Sequence, residues 1–366
     1  MTPLFKVHTP PNIGETLQNV WSSGMVTEGE YSDEFERQFG EYIKNPNTAL
    51  TNSCTSALTL AAHLCDVGPG TEVITTAMTC LATNAPFVNM GADLVFADID
   101  YSTGNISPES IEKQIRRSRK KIAAIVVVHW GGQPCDMKAI TTIAKVHGIK
   151  VIEDAAHALR SEYDGKLVGN HSDYVCFSFQ AIKHLTTGDG GAIACKSKED
   201  YERIKRLRWY GLDRHYKGKS RWEQNIAEVG YKFHMNNINA SIGIEQMKYI
   251  DGIIDKHIEN SLYYDEHIDH PHIKGVRRDP ISKSSEWIYT IRTTDRERLK
   301  EHLIENGVGC DRVHVSNDQY SAFDDRVETS LENTHYFDEQ KLCIPVGWWV
   351  DHEERERIVS VLNSYK

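Results

Sequence analysis

Residues 121–154 have the sequence KIAAIVVVHWGGQPCDMKAITTIAKVHGIKVIED, and this stretch decides the fold class. Its first ten residues form an apolar run of strand length, and its last five residues form a second such run. Between the two runs, residues 136–148 carry apolar side chains at helical spacing, with Asp136 and Gly148 at the positions where helix caps are favoured. A strand, a helix and a second strand in succession predict a βαβ unit of a parallel sheet.

The same alternation extends from residue 47 to residue 195 and predicts an α/β fold with a mainly parallel, mixed sheet. Further strands are predicted at 47–51, 71–76, 92–99, 173–179 and 191–195. Further helices are predicted at 53–66, 81–91 and 107–118. Only short polar segments separate the last three strands from one another, so some antiparallel pairing is expected among them.

Beyond residue 198 the chain is predicted to be mostly helical, with one long helix from about Asn236 to His267. A strand at 287–293, a helix at 295–307 and a closing helix at 353–365 follow. We therefore predict a large α/β/α domain over residues 1–250, which includes an N-terminal helical segment. A smaller α+β domain is expected over residues 251–366.

Composition narrows the class of protein. The chain has 366 residues and a formal net charge of −10, which argues against a broad nucleic-acid-binding surface. No run approaches the roughly 20 apolar residues of a membrane span, and no export signal is visible at the N-terminus. Eight scattered cysteines without a CxxC pair fit a reducing compartment, so we expect a cytoplasmic protein. No metal-ligand spacing is present, and no metal is expected.

Polar residues that follow the predicted strands are the first candidates for a site, because ligands of open α/β sheets bind beyond the carboxyl ends of the strands. At Asn52–Ser56, hydroxyls and amides at the start of a helix suit a phosphate, although this segment taken alone favours plain capping. Asp154 follows a buried strand and needs a partner, which is either a protonated ring nitrogen or a structural cation.

Lys183 is a further candidate site residue, because it lies between an apolar strand and the glycine-rich segment Thr187–Gly191. A lysine among apolar neighbours loses its charge more easily and is then a nucleophile that forms Schiff bases. An isolated lysine is more often a surface residue with a buried stem. The glycines match neither GxGxxG nor GxxxxGK[ST], so nucleotide binding through a phosphate loop is not supported.

Taken together, the segments EDAAHA (153–158), FSFQAIKHLTTGDGG (177–191) and GYKFHM (230–235) resemble fold-type-I pyridoxal-phosphate enzymes. More narrowly, they are similar to the sugar aminotransferases called the DegT family. The resemblance continues through other segments along nearly the whole chain, namely VTEGEYSDEFERQFGEYI (26–43), SCTSAL (53–58), HWGGQPCDM (129–137), VHVSNDQYSAF (313–323) and IPVGWW (344–349).

This resemblance implies pyridoxal phosphate as the cofactor and a role for each matching residue. Lys183 would form the internal aldimine and then move the proton between carbon atoms. Asp154 would pair with the pyridine nitrogen, and His157 would pack against or near the ring. The remaining matches are phosphate contacts at Thr55, Ser56 and Ser178, and His314 near the sugar pocket.

Two positions depart from the family pattern. Lys232 stands where the family usually has an asparagine that reaches the phosphate from the partner subunit, and a lysine can make that contact as a cation. Cys80 stands where a phenylalanine or tryptophan commonly stacks on the pyridine ring, and a cysteine covers the ring only weakly. Both are retained as predicted cofactor contacts.

The activity that the resemblance implies is a ping-pong transamination. An amino acid, L-glutamate in this prediction, converts the cofactor to its pyridoxamine form, which then aminates a 3- or 4-keto-6-deoxy sugar carried on a nucleotide. The family implies a homodimer with shared active sites.

Three alternatives stay open. One is a sugar-nucleotide dehydratase of the same fold, in which histidine replaces the lysine. Another is a cysteine desulfurase that uses Cys310 or Cys343. The third is a non-catalytic relative that binds cofactor or nucleotide sugar, against which the retention of Lys183 and Asp154 counts.

Overall fold

The computed structural model describes residues 1–214, 216–218, 220–323 and 329–366. Over these residues the helices are α1 (Ile13–Ser22), α2 (Glu30–Tyr42), α3 (Cys54–Leu64), α4 (Leu81–Asn89), α5 (Pro108–Arg117), α6 (Met137–His147), α7 (Lys198–Leu207), α8 (Asn237–Met247), α9 (Ile250–His267), α10 (Arg296–Glu305), α11 (Glu332–Gln340) and α12 (His352–Asn363). The strands are β1 (Thr48–Thr51), β2 (Thr71–Thr76), β3 (Asp93–Ala97), β4 (Lys121–Val128), β5 (Lys150–Asp154), β6 (Glu162–Tyr163), β7 (Lys166–Leu167), β8 (Tyr174–Ser178), β9 (Gly191–Cys195), β10 (Lys274–Gly275), β11 (Ser282–Lys283), β12 (Tyr289–Arg292) and β13 (Lys341–Ile344).

The centre of the fold is a seven-stranded sheet in the order β1–β9–β8–β5–β4–β2–β3. Strands β3, β2, β4, β5 and β8 pair in parallel, as the alternation of strands and helices predicts. Strand β9 runs antiparallel to both of its neighbours, β8 and β1. The predicted mixed sheet is therefore confirmed, and the expected antiparallel pairing among the last three strands is found between β8 and β9, whereas β5 and β8 pair in parallel.

Successive residues of the central strands face opposite layers of helices, because side chains alternate along a strand. Val73, Val126 and Ile152 face the layer that contains α3 and α4. Their neighbours Ile74 and Val127 face the layer that contains α5 and α6. Both layers are buried, and this explains why the parallel strands are continuous apolar runs instead of alternating ones.

The caps of the helices follow the sequence closely. The side chains of Ser53, Ser107 and Asp136 each accept a hydrogen bond from an amide in the first turn of the helix that follows. Gly148 ends α6 in the left-handed conformation, with φ +66°. These caps explain why the predicted helix ends lie within two residues of the observed ones.

The prediction of one continuous helix over residues 236–267 is wrong, because this segment forms two helices. Helix α8 ends at Met247 and α9 begins at Ile250. The amides of Lys248 and Tyr249 donate hydrogen bonds to the carbonyls three residues before them, as in a 3₁₀ turn. This tighter turn ends α8 and changes the direction of the chain before α9. The apolar spacing continues across the break, so the sequence pattern does not reveal it.

The C-terminal part has its own three-stranded antiparallel sheet, in the order β10–β12–β13, packed against α9, α10 and α12. Strand β12 and helices α10 and α12 lie at the predicted places, whereas α11 and β13 were missed. Helix α9 contributes Ile250 and Ile254 to the core beside the large sheet and Tyr264 to the C-terminal core. A domain boundary at residues 250/251 stays a prediction.

None of the helices in the described ranges combines the length and the apolar character required to cross a bilayer.

Candidate active site

A cavity of about 420 Å³ lies beyond the carboxyl ends of β4, β5 and β8, between the large sheet and the C-terminal part. Its wall includes most of the residues that the sequence singled out, namely Thr55, Cys80, Asp154, His157, Ser178, Lys183 and His314. These residues come from α3, the start of α4, the ends of β5 and β8 with the segments that follow them, and the loop after α10. The fold therefore brings together side chains that are up to 259 residues apart in the sequence.

Asp154 ends β5 and is 5% exposed. Its Oδ2 accepts a hydrogen bond of 2.7 Å from the hydroxyl of Thr83, and its Oδ1 accepts one of 3.0 Å from the amide of Ala156. Thr83 is in turn 2.8 Å from the hydroxyl of Thr79. This shell orients the carboxylate without a structural cation, since no described Lys, Arg or His lies within ion-pair distance of Asp154. The structural-pair interpretation of Asp154 is thus not supported.

Glu153, the residue before Asp154, has the opposite environment. Its side chain is fully buried on the other face of the sheet, where Oε2 lies 2.8 Å from Nε2 of His129. The amide of Cys135 donates to Nδ1 of the same ring, so Nε2 carries the hydrogen that Glu153 accepts. This acid serves structure, and alternation along β5 is what separates it from the cavity.

Lys183 lines the cavity and is partly buried. Burial disfavours its charged form and lowers the pKa of the amine to about 8, while the nearby carboxylate of Asp154 acts in the opposite direction. Such an amine exchanges a proton readily near neutral pH, and its neutral form is a nucleophile. The environment is that of a reactive lysine, not of a surface one.

Aromatic rings form one side of the cavity. The indole of Trp287 stacks on the imidazole of His157, with centroids 3.9 Å apart, and on the ring of Phe5, at 5.1 Å. Nζ of Lys183 lies 3.6 Å from the indole centroid. Burial lowers the pKa of His157 well below its usual value, and the positive charge of Lys183 adds to that effect, so this imidazole is neutral.

Hydroxyl groups gather at the start of α3. Ser53 caps the helix by accepting from the amide of Ser56, and the hydroxyl of Ser56 donates to Asn52 at 2.6 Å. Thr55 is exposed on the cavity wall, whereas Ser56 is buried just behind it. Free amides and the positive end of the helix dipole at this place favour an anion.

The glycine pair has a packing function. A Cβ at Gly191 would lie 2.5 Å from the amide nitrogen of Cys54, so only glycine allows β9 to approach the start of α3 this closely. Ser178, at the end of β8, lies on the same cavity wall. The glycines thus bring the start of α3 and the end of β8 together.

The loop that carries His314 is held by a buried acid. Asp338 accepts hydrogen bonds from Arg312 at 2.6 Å and from Gln319 at 2.7 Å, and it forms an ion pair with the fully buried Lys341. These contacts sustain a left-handed backbone at Val313, with φ +65°, which is costly for a β-branched residue. A strained residue that persists beside a cavity indicates a loop held in place for function.

His314 itself is partly buried beside His157, with the two ring centroids 5.6 Å apart and nearly parallel. Burial lowers the pKa of His314 to about 3, and the positive charges of Lys183 and Lys341 contribute. Nδ1 of His157 and Nε2 of His314 are both buried, and neither has a hydrogen-bond partner in the described parts of the chain. Buried atoms of this kind await a ligand.

Lys232 lies outside the cavity wall in the single chain. Its side chain is exposed, and Nζ lies 4.9 Å from the centroid of Trp209. Its backbone is nevertheless close to the start of α3, because its carbonyl accepts a hydrogen bond from the side chain of Asn52. A contact from Lys232 to the phosphate of its own chain is not formed, and a contact across a dimer stays a prediction.

Three residues of the wall were missed by the sequence analysis, namely Trp287, Thr83 and Phe5. Trp287 begins a segment with the pattern of a strand, and Thr83 lies in the first turn of a predicted helix, so both had ordinary structural explanations. Cys80 supplies no ring to the cavity, and the rings on the wall come from Phe5, His157, Trp287 and His314.

The donor set fits pyridoxal phosphate. An oriented carboxylate at Asp154 suits a protonated ring nitrogen, the amine of Lys183 suits the aldehyde, and the helix start at Thr55 suits the phosphate. The partnerless ring nitrogens of His157 and His314 supply further polar contacts. Over the described residues no group of three or more His, Cys, Asp or Glu side chains could hold a metal ion.

Comparison with known proteins also identifies an aminotransferase. The family model for the DegT/DnrJ/EryC1/StrS aminotransferases matches residues 10–363. A Campylobacter jejuni protein named UDP-4-amino-4,6-dideoxy-N-acetyl-beta-L-altrosamine transaminase is 33% identical over 342 residues, which cover 90% of this chain and 88% of that protein.

Two solved structures agree over the whole fold. The sugar aminotransferase CalS13 from Micromonospora echinospora is 30% identical, with a TM-score of 0.94 and complete coverage of both chains. The PLP form of Spr1654 from Streptococcus pneumoniae, a putative sugar aminotransferase by its title, is 25% identical, with a TM-score of 0.90 over 99% of this chain and 97% of that one. The chain therefore belongs to the DegT/DnrJ/EryC1/StrS aminotransferase family and is a pyridoxal-phosphate-dependent sugar aminotransferase.

Proposed function

We propose that this enzyme transfers the amino group of L-glutamate to a keto sugar carried on a nucleotide, with a 3- or 4-keto-6-deoxy sugar as the acceptor. The observation that carries the proposal is the placement of Lys183 and Asp154 in one cavity, with a nucleophilic amine and a carboxylate free of structural cations. The Campylobacter relative acts, by its name, on a UDP-linked 4-amino-4,6-dideoxy sugar. That name favours amination at C4 of a UDP sugar among the possible acceptors.

In this proposal Lys183 binds the aldehyde of the cofactor and later moves a proton. When bound, pyridoxal phosphate supplies an electron sink for the carbanion that forms when an amino acid loses its α proton. The amine of Lys183, whose pKa is lowered to about 8, takes up that proton and returns it at another carbon. The indole of Trp287 covers one side of this amine and limits the access of water to it.

Asp154 and the start of α3 hold the two ends of the cofactor in this proposal. The carboxylate of Asp154, oriented by Thr83 and Ala156, keeps a positive charge on the ring nitrogen. Thr55, Ser56 and Ser178 hold the phosphate with hydroxyls and amides. Cys80 forms the part of the cavity wall directly before α4, and the neutral His157 packs beside the pyridine ring of the cofactor.

The second half of the site in this proposal comes from a second copy of the chain. Lys232 is an exposed cation beside the start of α3, and it lacks an anion in its own chain among the described residues. Large apolar side chains are exposed around the same segment and on the N-terminal helices, namely Tyr210, Ile226, Val229, Trp21 and Met25. A surface of this kind marks a protein interface, and a homodimer with shared sites covers it.

His314 is the proposed contact for the acceptor sugar. Its Nε2 is buried and partnerless, and its neutral ring can accept or donate a hydrogen bond to a sugar hydroxyl. The loop around it is held by Asp338, so this contact is preorganised. The loop and Trp287 are the parts of the wall that come from the C-terminal part of the chain.

The first experiment follows the visible absorption of the purified protein before and after the addition of L-glutamate, with Lys183→Ala measured in parallel. We expect a cofactor band that glutamate bleaches in the wild type and that is missing or altered in the variant. The second step offers UDP-linked 4-keto-6-deoxy sugars to the glutamate-treated protein and detects the amino sugar by mass. A band that persists with glutamate would refute the donor, and a dehydrated product without nitrogen would favour the dehydratase.

The shared site has its own test. Lys183→Ala and Lys232→Ala are each expected to be nearly inactive, because each lacks one half of every site. After the two variants are unfolded together and refolded as a mixture, half of the dimers contain one intact site, so about a quarter of the wild-type activity should return. No recovery in a mixture shown to contain mixed dimers would refute the contact across the interface.

A further inference from the structure

The Lys183 amine has an unusual partner in this cavity. Nζ lies 3.6 Å from the centroid of the Trp287 indole, whereas the other lysine–tryptophan contacts of the described residues span 4.9 to 5.8 Å. Within those residues no carboxylate comes within ion-pair distance of Nζ, although Asp154 lies on the same cavity wall. The indole face is therefore the contact that stabilises the charged amine.

The ring of Trp287 is fixed relative to the backbone at Lys183. Its Nε1 donates a hydrogen bond of 2.9 Å to the carbonyl of Ile182, the residue directly before the lysine. Phe5 and His157 stack against the ring, and Trp287 is 2% exposed. A ring tied to the neighbouring peptide keeps a constant distance from the lysine side chain even when the cavity wall moves.

A tryptophan face attracts an ammonium group through its quadrupole, and the attraction grows when water is excluded. An aminotransferase lysine needs such a place, because its amine leaves the cofactor when the amine of a substrate takes its position. A free ammonium group would otherwise turn to solvent or to the carboxylate of Asp154, and either change would remove a group that the reaction needs.

We propose that the face of the Trp287 indole holds the Lys183 amine whenever this lysine is not joined to the cofactor, which makes Trp287 a positioning residue of the reaction. The inference rests on the assignment of Lys183 in the proposed function. It assigns a role to a residue outside the segments that suggested the family. The hydrogen bond from Nε1 to the carbonyl of Ile182 and the stacking on Phe5 hold the indole in the orientation that this role requires.

The charged and titratable groups that face the Lys183 amine come from several elements. They are Asp154 at the end of β5, Cys54 at the start of α3, Cys80 before α4, His157 after β5, His184 beside the lysine and His314 in the loop after α10. A measurement of the amine must therefore change the indole and leave all six groups in place. Fluorination of the indole meets this condition, because it weakens the quadrupole with little change in shape.

The test measures how fast the cofactor-free protein takes up pyridoxal phosphate between pH 6 and pH 10, followed by visible absorbance. Uptake requires the neutral amine, so the midpoint of the pH profile reports the protonation of Lys183. With fluorinated tryptophan in place of all seven tryptophans, the midpoint should fall by about 0.5 to 1 pH unit, because a weaker ring stabilises the ammonium form less.

Trp287→Phe is the matched control, and Trp287→Tyr replaces it if the phenylalanine variant does not fold. In either variant the fluorinated label should leave the midpoint unchanged, since the other six tryptophans are labelled but do not contact Nζ. An unchanged midpoint in the labelled wild type, or an equal fall in wild type and control, would overturn the inference.

Two further outcomes separate this inference from the proposed function. If Lys183→Ala takes up the cofactor with the same absorbance as the wild type, the assignment of Lys183 fails, and the role of Trp287 fails with it. If the labelled wild type shows the expected fall but glutamate does not bleach the cofactor band, only the donor is wrong, and the role of Trp287 is supported.

Discussion

The amine of Lys183 destabilises the cofactor-free protein at neutral pH. The pKa of this amine is about 8 in the folded chain, against 10.5 for an ordinary lysine. At 1.36 kcal/mol per pKa unit, this difference sets an upper limit of about 3 kcal/mol on the penalty. Because the side chain is partly open to cavity water, we expect a smaller value, on the order of 1–2 kcal/mol. Lys183→Met, which keeps the length and removes the charge, should therefore raise the free energy of unfolding by that amount at pH 7.

The sign of the pH dependence follows from proton binding. Between about pH 8 and pH 10.5 the unfolded chain holds a proton at Lys183 that the folded chain has released, so the stability of the wild type rises with pH in this window. The methionine variant lacks this contribution. Its advantage over the wild type should be full below pH 8 and should shrink steadily above it.

The assay is urea unfolding of the cofactor-free proteins at pH 7.0 and pH 9.5, followed by intrinsic tryptophan fluorescence. Lys166→Met is the matched control, since Lys166 is an exposed lysine on β7, and we expect no gain from it at either pH. A Lys183→Met protein that is less stable than the wild type at pH 7, or that keeps an equal advantage at pH 9.5, would refute the reasoning.

Three further predictions concern the shell around the site. Asp154→Asn should fold normally and lower kcat/KM by at least about 100-fold in steady-state assays, because a neutral amide no longer favours a charged ring nitrogen. Thr83→Val removes a 2.7 Å hydrogen bond to that carboxylate and should weaken cofactor retention about tenfold, as measured by equilibrium dialysis. Asp338→Asn leaves the buried Lys341 without its counterion and should lower the free energy of unfolding by about 3 kcal/mol in urea titrations. In the folded fraction of Asp338→Asn, the KM for the acceptor sugar should rise while the glutamate half-reaction keeps its rate, since the loop with His314 loses its anchor.

Local patterns were enough to predict the large sheet. Its strands are apolar runs that end in turn residues, and α3, α5 and α6 begin with a capping Ser or Asp, so the elements could be placed within one or two residues. The same local reasoning failed at the break between α8 and α9, because apolar spacing continues through Lys248 and Tyr249. It also missed β13, whose Lys341 interrupts the expected apolar run. The buried Lys341 is tolerated there because it forms an ion pair with Asp338, three residues before it on α11. The burial of this pair depends on the tertiary structure and is not visible in the local sequence.

The site was predicted where its residues follow strands of the large sheet and was missed where they come from elsewhere. Asp154 and Ser178 end strands that the parallel topology brings to one edge, and Lys183 lies in the segment directly after the second of these strands. Trp287 reaches the cavity from the segment before β12, and Phe5 reaches it from the N-terminal segment. The sequence contains no local signal for such long-range contacts, because both residues are ordinary apolar residues in their own segments.

The two adjacent acids of β5, Glu153 and Asp154, have different environments because of their positions in the sheet, although the sequence alone does not distinguish them. Glu153 and Asp154 are the last two residues of an apolar strand, and a buried carboxylate there admits a structural partner or a functional one. Alternation along the strand sends Glu153 to the face where its Oε2 pairs with Nε2 of His129. The same alternation sends Asp154 to the face of α3 and α4, where hydroxyl and amide donors orient it but no described cation neutralises it. A shift of one residue in the register of β5 would exchange the two environments, so the register of the sheet determines which of the two acids faces the cavity.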